Sequence, residues 1–305
     1  MSLQLVFDAL SLGGIYAIAA LGIALIFGVM KLVNFAHGQF IACAVFALIL
    51  PTADAVAVLG LGALPAVLLI PAIIGFGAGL AVLAEALVFR PLRHASPVAL
   101  MVGSFALGVA LQNLLLVLYG GRPKAISLWP DLGQPVQIGA AQVPLLQLIV
   151  IGAVALILGA LALMLKRSRL GLEMRAAAED FGMARLLGVR ANRVISGAFA
   201  LSGALAAVVA LVLVAQTGVA DVRMGGQIML VAFIATVVGG MGSLPGAVAA
   251  GMALGAASAL LQAFLPDAAR PFRDAFLYAL VILVLLFRPQ GFSPLPAPNR
   301  GSEPC

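Results

Sequence analysis

Lys31, Asn34, His37 and Gln39 fall within nine positions of "MKLVNFAHGQF", between two strongly apolar stretches. Amide and imidazole groups inside an apolar chain can satisfy backbone groups freed where a helix breaks, or can line or gate a path for a polar solute. Asn34 and His37 could pair with each other where the first long helix ends, with Gly38 permitting a sharp turn at the membrane interface. The sequence places no carboxylate beside His37, so no proton relay is expected. Gln112 and Asn113 form a second polar pair within a single apolar segment, suited to interhelical hydrogen bonds or to solute contact. A third feature, "VVGGMGSLPGAVAAG", gathers Gly239, Gly240, Gly242, Ser243, Pro245 and Gly246, a density that one uninterrupted helix does not tolerate. It is either a broken helix at the bilayer midplane or a tight cytoplasmic turn. Asn34, His37, Gln39, Gln112, Asn113, Gly240, Gly242 and Ser243 are therefore the candidates for a substrate path or gate. No catalytic residue is singled out, and Cys43 and Cys305 lack metal-ligand spacing, so no metal is expected.

The elements that must hold these residues follow from composition. Of 305 residues, 64% are hydrophobic and 9% charged, whereas about a quarter are charged in soluble domains. Apolar segments run approximately over 9–30, 36–50, 66–89, 98–118, 145–165, 194–216, 226–241, 246–264 and 273–287. About 20 apolar residues cross a hydrocarbon core of roughly 30 Å. The expected fold is an all-α polytopic integral membrane protein with about eight to ten transmembrane helices, a cytoplasmic loop and broken or re-entrant segments. Residues 1–288 form the transmembrane domain and 289–305 a Pro-rich, irregular tail. Residues 1–8 lack a secretory n-region and cleavage pattern, so the first apolar run is expected to persist. The net charge of +6 lies beside the segments, where it sets orientation and does not point to nucleic acid. Lys31, Arg90, Arg93, the run from Lys166 to Arg193, and Arg288 fall on one side, expected to be cytoplasmic, with the C-terminus there too, while Arg122, Lys124, Arg223, Arg270 and Arg273 weakly oppose that orientation. Gly75-x-x-x-Gly79 and Gly251-x-x-x-Gly255 suit close helix packing within the chain or between subunits.

Between Lys166 and Arg193 lie ten of the 28 charged residues, too many to bury in lipid without tens of kcal/mol, so 166–193 is a loop in water. Within it, "LEMRAAAEDFGMARLLGV" reads as one short helix with an Arg175–Glu179 pair and Gly188 as its stop. Gly182 would bend or shorten it. Met174, Ala177, Phe181, Ala184 and Leu187 make an apolar stripe that must dock on the chain's own helix ends, on the membrane or in a partner's groove.

The stretch "RAAAEDFGMARLLGV", together with "NFAHG" (Asn34 to Gly38) and "GGMGSLPG" (Gly239 to Gly246), resembles permease subunits of bacterial branched-chain amino acid ABC importers, the LivH/LivM family. The three motifs stand in matching order over most of the chain, whose length fits the shorter of the family's two permease types. The resemblance implies a permease translocating leucine, isoleucine and valine, or urea, short amides or aromatic acids, across the bacterial inner membrane. It implies two cytoplasmic ATP-binding subunits, a second permease (LivM-like) or a homodimeric copy, and a periplasmic solute-binding protein. Carried over, Glu173, Arg175, Ala177, Glu179, Asp180 and Gly188 are the ATPase contact and hinge positions. Many members carry an acidic residue at the position of Gln39. The G-x-x-x-x-G-K-[ST] motif is missing, so ATP and Mg²⁺ are expected on partner subunits, with no cofactor and no enzymatic chemistry in this chain. The competing class, an ion-coupled secondary transporter, requires ionisable residues deep in its spans, and the sequence offers only Glu85, near a segment end where Arg90 or Arg93 would pair with it, and His37.

Overall fold

The computed structural model describes residues 2–52, 54–138, 141–288 and 291. In chain order the elements are α1 (Ser2–Met30), α2 (His37–Ala47), α3 (Ala66–Ala84), α4 (Pro97–Tyr119), β1 (Lys124–Ala125), β2 (Pro135–Ile138), β3 (Ala141–Pro144) and α5 (Leu145–Arg167). There follow α6 (Arg169–Glu179), α7 (Phe181–Leu186), α8 (Ala191–Thr217), β4 (Val219–Ala220), α9 (Met224–Gly239), α10 (Leu244–Phe264) and α11 (Arg273–Phe287). Each of the nine apolar segments holds one helix, and α6 and α7 come from the charged island. Among the described residues, six helices are long and apolar enough to cross a membrane: α1, α3 with its extension to Phe89, α4, α5, α8 and α10. α2, α9 and α11 are shorter. The Pro-rich tail lies outside the described residues apart from Gly291.

α1 is apolar on every face, and a helix of that kind is stable only when surrounded. It occupies the centre, packed most extensively on α10 and then on α8, α9 and α5. Small residues permit the approach. A Cβ at Gly251 would stand 2.6 Å from Ala17 Cα, and one at Gly255 would strike the backbone of Gly13. Gly77 and Gly203 bring α3 against α8 in the same way. The Gly251/Gly255 pair thus packs within the chain. Gly75 and Gly79 do not, because nothing lies within 4 Å of where their Cβ atoms would be, and the contact residue is Gly77 between them.

The two ends of the bundle differ. At one, β1 pairs antiparallel with β4, and β2 with β3 in a hairpin placing Val136 opposite Val143. These strands depart from a purely α-helical chain, and they are confined to the connections. Lys124 is buried here, its ammonium donating to the carbonyls of Thr52 and Asp54. α5 leads from β3 at this strand end to α6 at the opposite end, which also carries the α9–α10 turn.

Candidate functional site

The polar cluster after α1 lies within the bundle, not at its edge. α1 ends at Met30, Lys31 takes a left-handed φ of 55°, and residues 32–36 run back between helices before α2 begins. The Phe35 N–H donates to Ser104 Oγ (3.1 Å), and Gly108, at the middle of α4, faces Ala36 and Gln39. His37 Nδ1 lies 3.0 Å from Ser202 Oγ in α8, its ring against Gly22 of α1. Gly22 is eight residues before the end of α1, about 12 Å along the helix. An interfacial turn is therefore not what forms. The segment is non-helical backbone at mid-depth, which is tolerated only where protein or a water-filled cavity surrounds it. α2 is accordingly a half-length helix of 11 residues whose N-terminus opens into the interior.

Asn34 and His37 do not pair with each other. Asn34 Oδ1 accepts the Ala36 N–H at 3.0 Å, an Asx turn that starts α2, whereas His37 reaches Ser202. Asn34 Nδ2 and Gln39 Oε1 are buried with no hydrogen-bonding partner among the described residues. Gly38 lies so close to Gly225 that a Cβ on either would strike the other's carbonyl oxygen, fastening α2 to α9. Of the two readings open for the glycine loop, the helix break is found here instead. The glycine loop itself is a tight turn: α9 stops at Gly239, Gly240 and Gly242 take φ of 97° and 94°, and Ser243 caps α10 by accepting the Gly246 N–H at 3.2 Å. Gly239 and Gly246 touch across it. Asn113 donates to the Val109 carbonyl of its own helix (2.8 Å), and neither it nor Gln112 joins the mid-depth cluster.

At the α6 end, Glu85 is wholly buried on a single π-helical turn, Glu85–Phe89, that extends α3. Its carboxylate accepts from Arg90 (3.0 Å), Ser196 (2.9 Å) and Arg93, and Arg93 donates also to Asn192. Both arginines expected as partners are engaged at once. Ser196 and Asn192 escape a reading of the sequence, since nothing in their local surroundings marks them.

The charged island forms two helices, not one. Ser168 caps α6 through the Gly171 N–H (3.0 Å), and Asp180, with extended backbone, caps α7 through the Met183 N–H (2.9 Å). The break therefore falls at Asp180, two residues before Gly182, and Gly188 ends the unit at φ 89°. Arg175 donates to the Lys166 carbonyl (3.3 Å) and makes no ion pair with Glu179. Met174, Ala177 and Ala184 are buried against the bundle, so Ala177 is not a surface contact position. Leu172, Met183, Leu186 (84% exposed) and Leu187 (79%) point outward instead.

The structure holds a further polar site that the sequence motifs do not announce. At the strand end, α1, α5, α8 and α10 border a half-open cavity of about 360 Å³ lined by Asp8, Ser11, Gln147, Gln216 and Gln262, with Leu5, Leu12, Ala259 and Ala263. Asp8 Oδ1 accepts from Gln147 Nε2 (2.8 Å), and Gln216 Nε2 donates to Ser11 Oγ (2.6 Å). Arg273 donates to Gln262 Oε1 (2.9 Å). The signal is present but scattered: each glutamine stands alone near the end of an apolar segment, and Asp8 immediately precedes the first one.

A half-helix opening at mid-depth, a polar cavity at one end and an amphipathic helical pair at the other define a multi-pass membrane protein of the transport class. The model of the family described as branched-chain amino acid transport system, permease component, matches residues 5–285, and the chain belongs to that family. It is 33% identical over 302 residues, 95% of this chain and 94% of the relative, to the high-affinity branched-chain amino acid transport system permease protein BraD of Pseudomonas aeruginosa. The LivH permease proteins of Escherichia coli K12 and Salmonella typhimurium are each 32% identical over the same shares. No solved structure matches. As a permease component the chain works with other subunits and is not itself an enzyme.

Proposed function

We propose that this chain is a transmembrane subunit of an ATP-driven importer of the bacterial inner membrane, carrying leucine, isoleucine, valine or a related small solute. The strand end faces the periplasm and a solute-binding protein, and the α6–α7 end faces the cytoplasm. Seven basic residues between Lys166 and Arg193 support that orientation, as does the buried state of Lys124, a cation at the strand end whose carbonyl partners give it a structural role. The nine apolar helices are nine crossings, α2 being completed by the non-helical segment 31–36.

The observation that carries this reading is the outward face of α6–α7. Leu172, Met183, Leu186 and Leu187 are exposed beyond the ends of the spans, beside the charges of Arg175, Glu179 and Arg185. Apolar side chains rimmed by charge on a helix pair suit insertion into a groove of a cytoplasmic ATP-binding subunit, where ATP and Mg²⁺ reside. Glu173 and Ala177 act from beneath as supports, and Asp180 and Gly188 as the hinge and the stop. A second permease, LivM-like or a copy of this chain, completes the path. Solute passes the mid-depth break at Asn34, His37 and Gln39. Gln112, Asn113 and the turn at Gly240, Gly242 and Ser243 frame the helices around it without entering it.

Replacing both Met183 and Leu186 by Glu tests this. Co-purification of the ATP-binding subunits should fall by at least about tenfold, because two apolar anchors are lost, while membrane insertion is unchanged. Undiminished co-purification would exclude α6–α7 as the docking element.

A further inference from the structure

We infer that the cavity at the strand end is an outer binding site for the zwitterionic backbone of an amino acid, with Asp8 receiving the ammonium group. This rests on the importer reading and its orientation. The cavity lies about two turns into α1, where Asp8 and Ser11 stand among apolar residues, and at the ends of α5, α8 and α10, where Gln147, Gln216 and Gln262 stand within two residues of the termini and face it together. Its volume falls within the usual range of small-molecule sites.

The bonding pattern leaves complementary groups free. Asp8 Oδ1 is engaged by Gln147, and Asp8 Oδ2 has no partner among the described residues. Gln216 spends its N–H on Ser11 and retains its carbonyl oxygen. Two acceptors, one of them ionised, thus remain for an ammonium group. Ser11 Oγ, having accepted, keeps its own proton, and Gln262, held through Oε1 by Arg273, keeps its NH₂. Those are two donors for a carboxylate. Leu5, Leu12, Ala259 and Ala263 complete the lining with apolar surface suited to an aliphatic side chain. Arg270 and Arg273 border an adjoining cavity that shares Gln262, each paired with an aspartate, Asp267 and Asp274 respectively, so the polarity at this side comes from the Gln262 NH₂ and not from a net charge.

The test uses the full chain with its companion subunits in right-side-out vesicles, with Cys43 and Cys305 replaced and Ala263→Cys introduced, or Leu5→Cys as the second variant, both at lining positions that contribute no polar contact. A cationic methanethiosulfonate added outside should react about tenfold faster than an anionic one, because a carboxylate in a cleft concentrates cations. Asp8→Asn, which preserves the bond from Gln147, should bring the two rates within about twofold of each other. Leucine should slow labelling, and the α-keto acid of leucine, which lacks the ammonium, should not. Absence of charge preference at both cysteines, or equal protection by the keto acid, overturns the assignment. ATP-driven leucine uptake by cysteine-replaced vesicles without the reporter cysteine separates the two readings. Uptake without protection removes this site alone, whereas protection without uptake removes the importer reading and leaves the site.

Discussion

At the scale of single residues, the most constrained group is Glu85. A buried carboxylate is costly unless paired and hydrogen-bonded, and here two guanidinium groups and one hydroxyl share it. Its partners come from the turn after α3 and from α8, so one charge fixes the angle between them at the α6 end. Glu85→Ala strands Arg93, which is only 17% exposed, and should destabilise the protein by about 3–5 kcal/mol. Ser196→Ala removes one bond to a charged group and should cost about 1.5–3 kcal/mol. Thermal unfolding of the purified protein in detergent, with the two variants side by side, checks both the sizes and their order. The Arg partners are legible in the sequence because they stand within eight positions of Glu85 at the end of an apolar segment. Ser196 and Asn192 are not, since a contact between residues about 100 positions apart leaves no local pattern.

At the scale of elements, hydrophobic runs locate the nine apolar helices, though not α6 and α7, and polar punctuation is ambiguous in two places. The glycine cluster at 239–246 has the composition of a midplane break, yet its glycines serve a turn in which two helices touch. The real break comes after Met30, where a single polar cluster within an otherwise apolar stretch conceals six residues of irregular backbone. Both sites are compositionally ambiguous, because freed backbone groups at an interface and at mid-depth require the same kinds of side chain. The charged island reads as one helix because helix formers dominate it, but the Asp180 side chain caps α7 more readily than its backbone continues α6. Asp180→Ala should therefore cost α7 about 1 kcal/mol. Amide exchange over 181–186 should accelerate about fivefold, and Asp180→Asn, which still caps, should leave it near the original rate. Equal exchange in both variants would show that packing of Ala184, not the cap, holds α7.

For the whole molecule, every functional assignment depends on which end of the bundle meets which compartment. The fold makes the two ends chemically unlike. One carries short strands and the polar cavity around Asp8, and the other carries the Glu85 cluster and the α6–α7 pair with its outward leucines. In the proposed importer the cavity lies outside and the helix pair inside, with the larger share of Lys and Arg on the helix-pair side. The opposite arrangement would place exposed Leu186 and Leu187 where no ATP-binding subunit exists. Single cysteines at Gln137 in β2 and at Leu187, introduced after replacing Cys43 and Cys305, decide between them. A membrane-impermeant maleimide applied to right-side-out vesicles should label the cysteine at 137 at once and that at 187 only after permeabilisation. Labelling of position 187 in sealed vesicles would reverse the molecule, leaving the helix pair without a motor to grip it and the Asp8 cavity facing the wrong reservoir of solute.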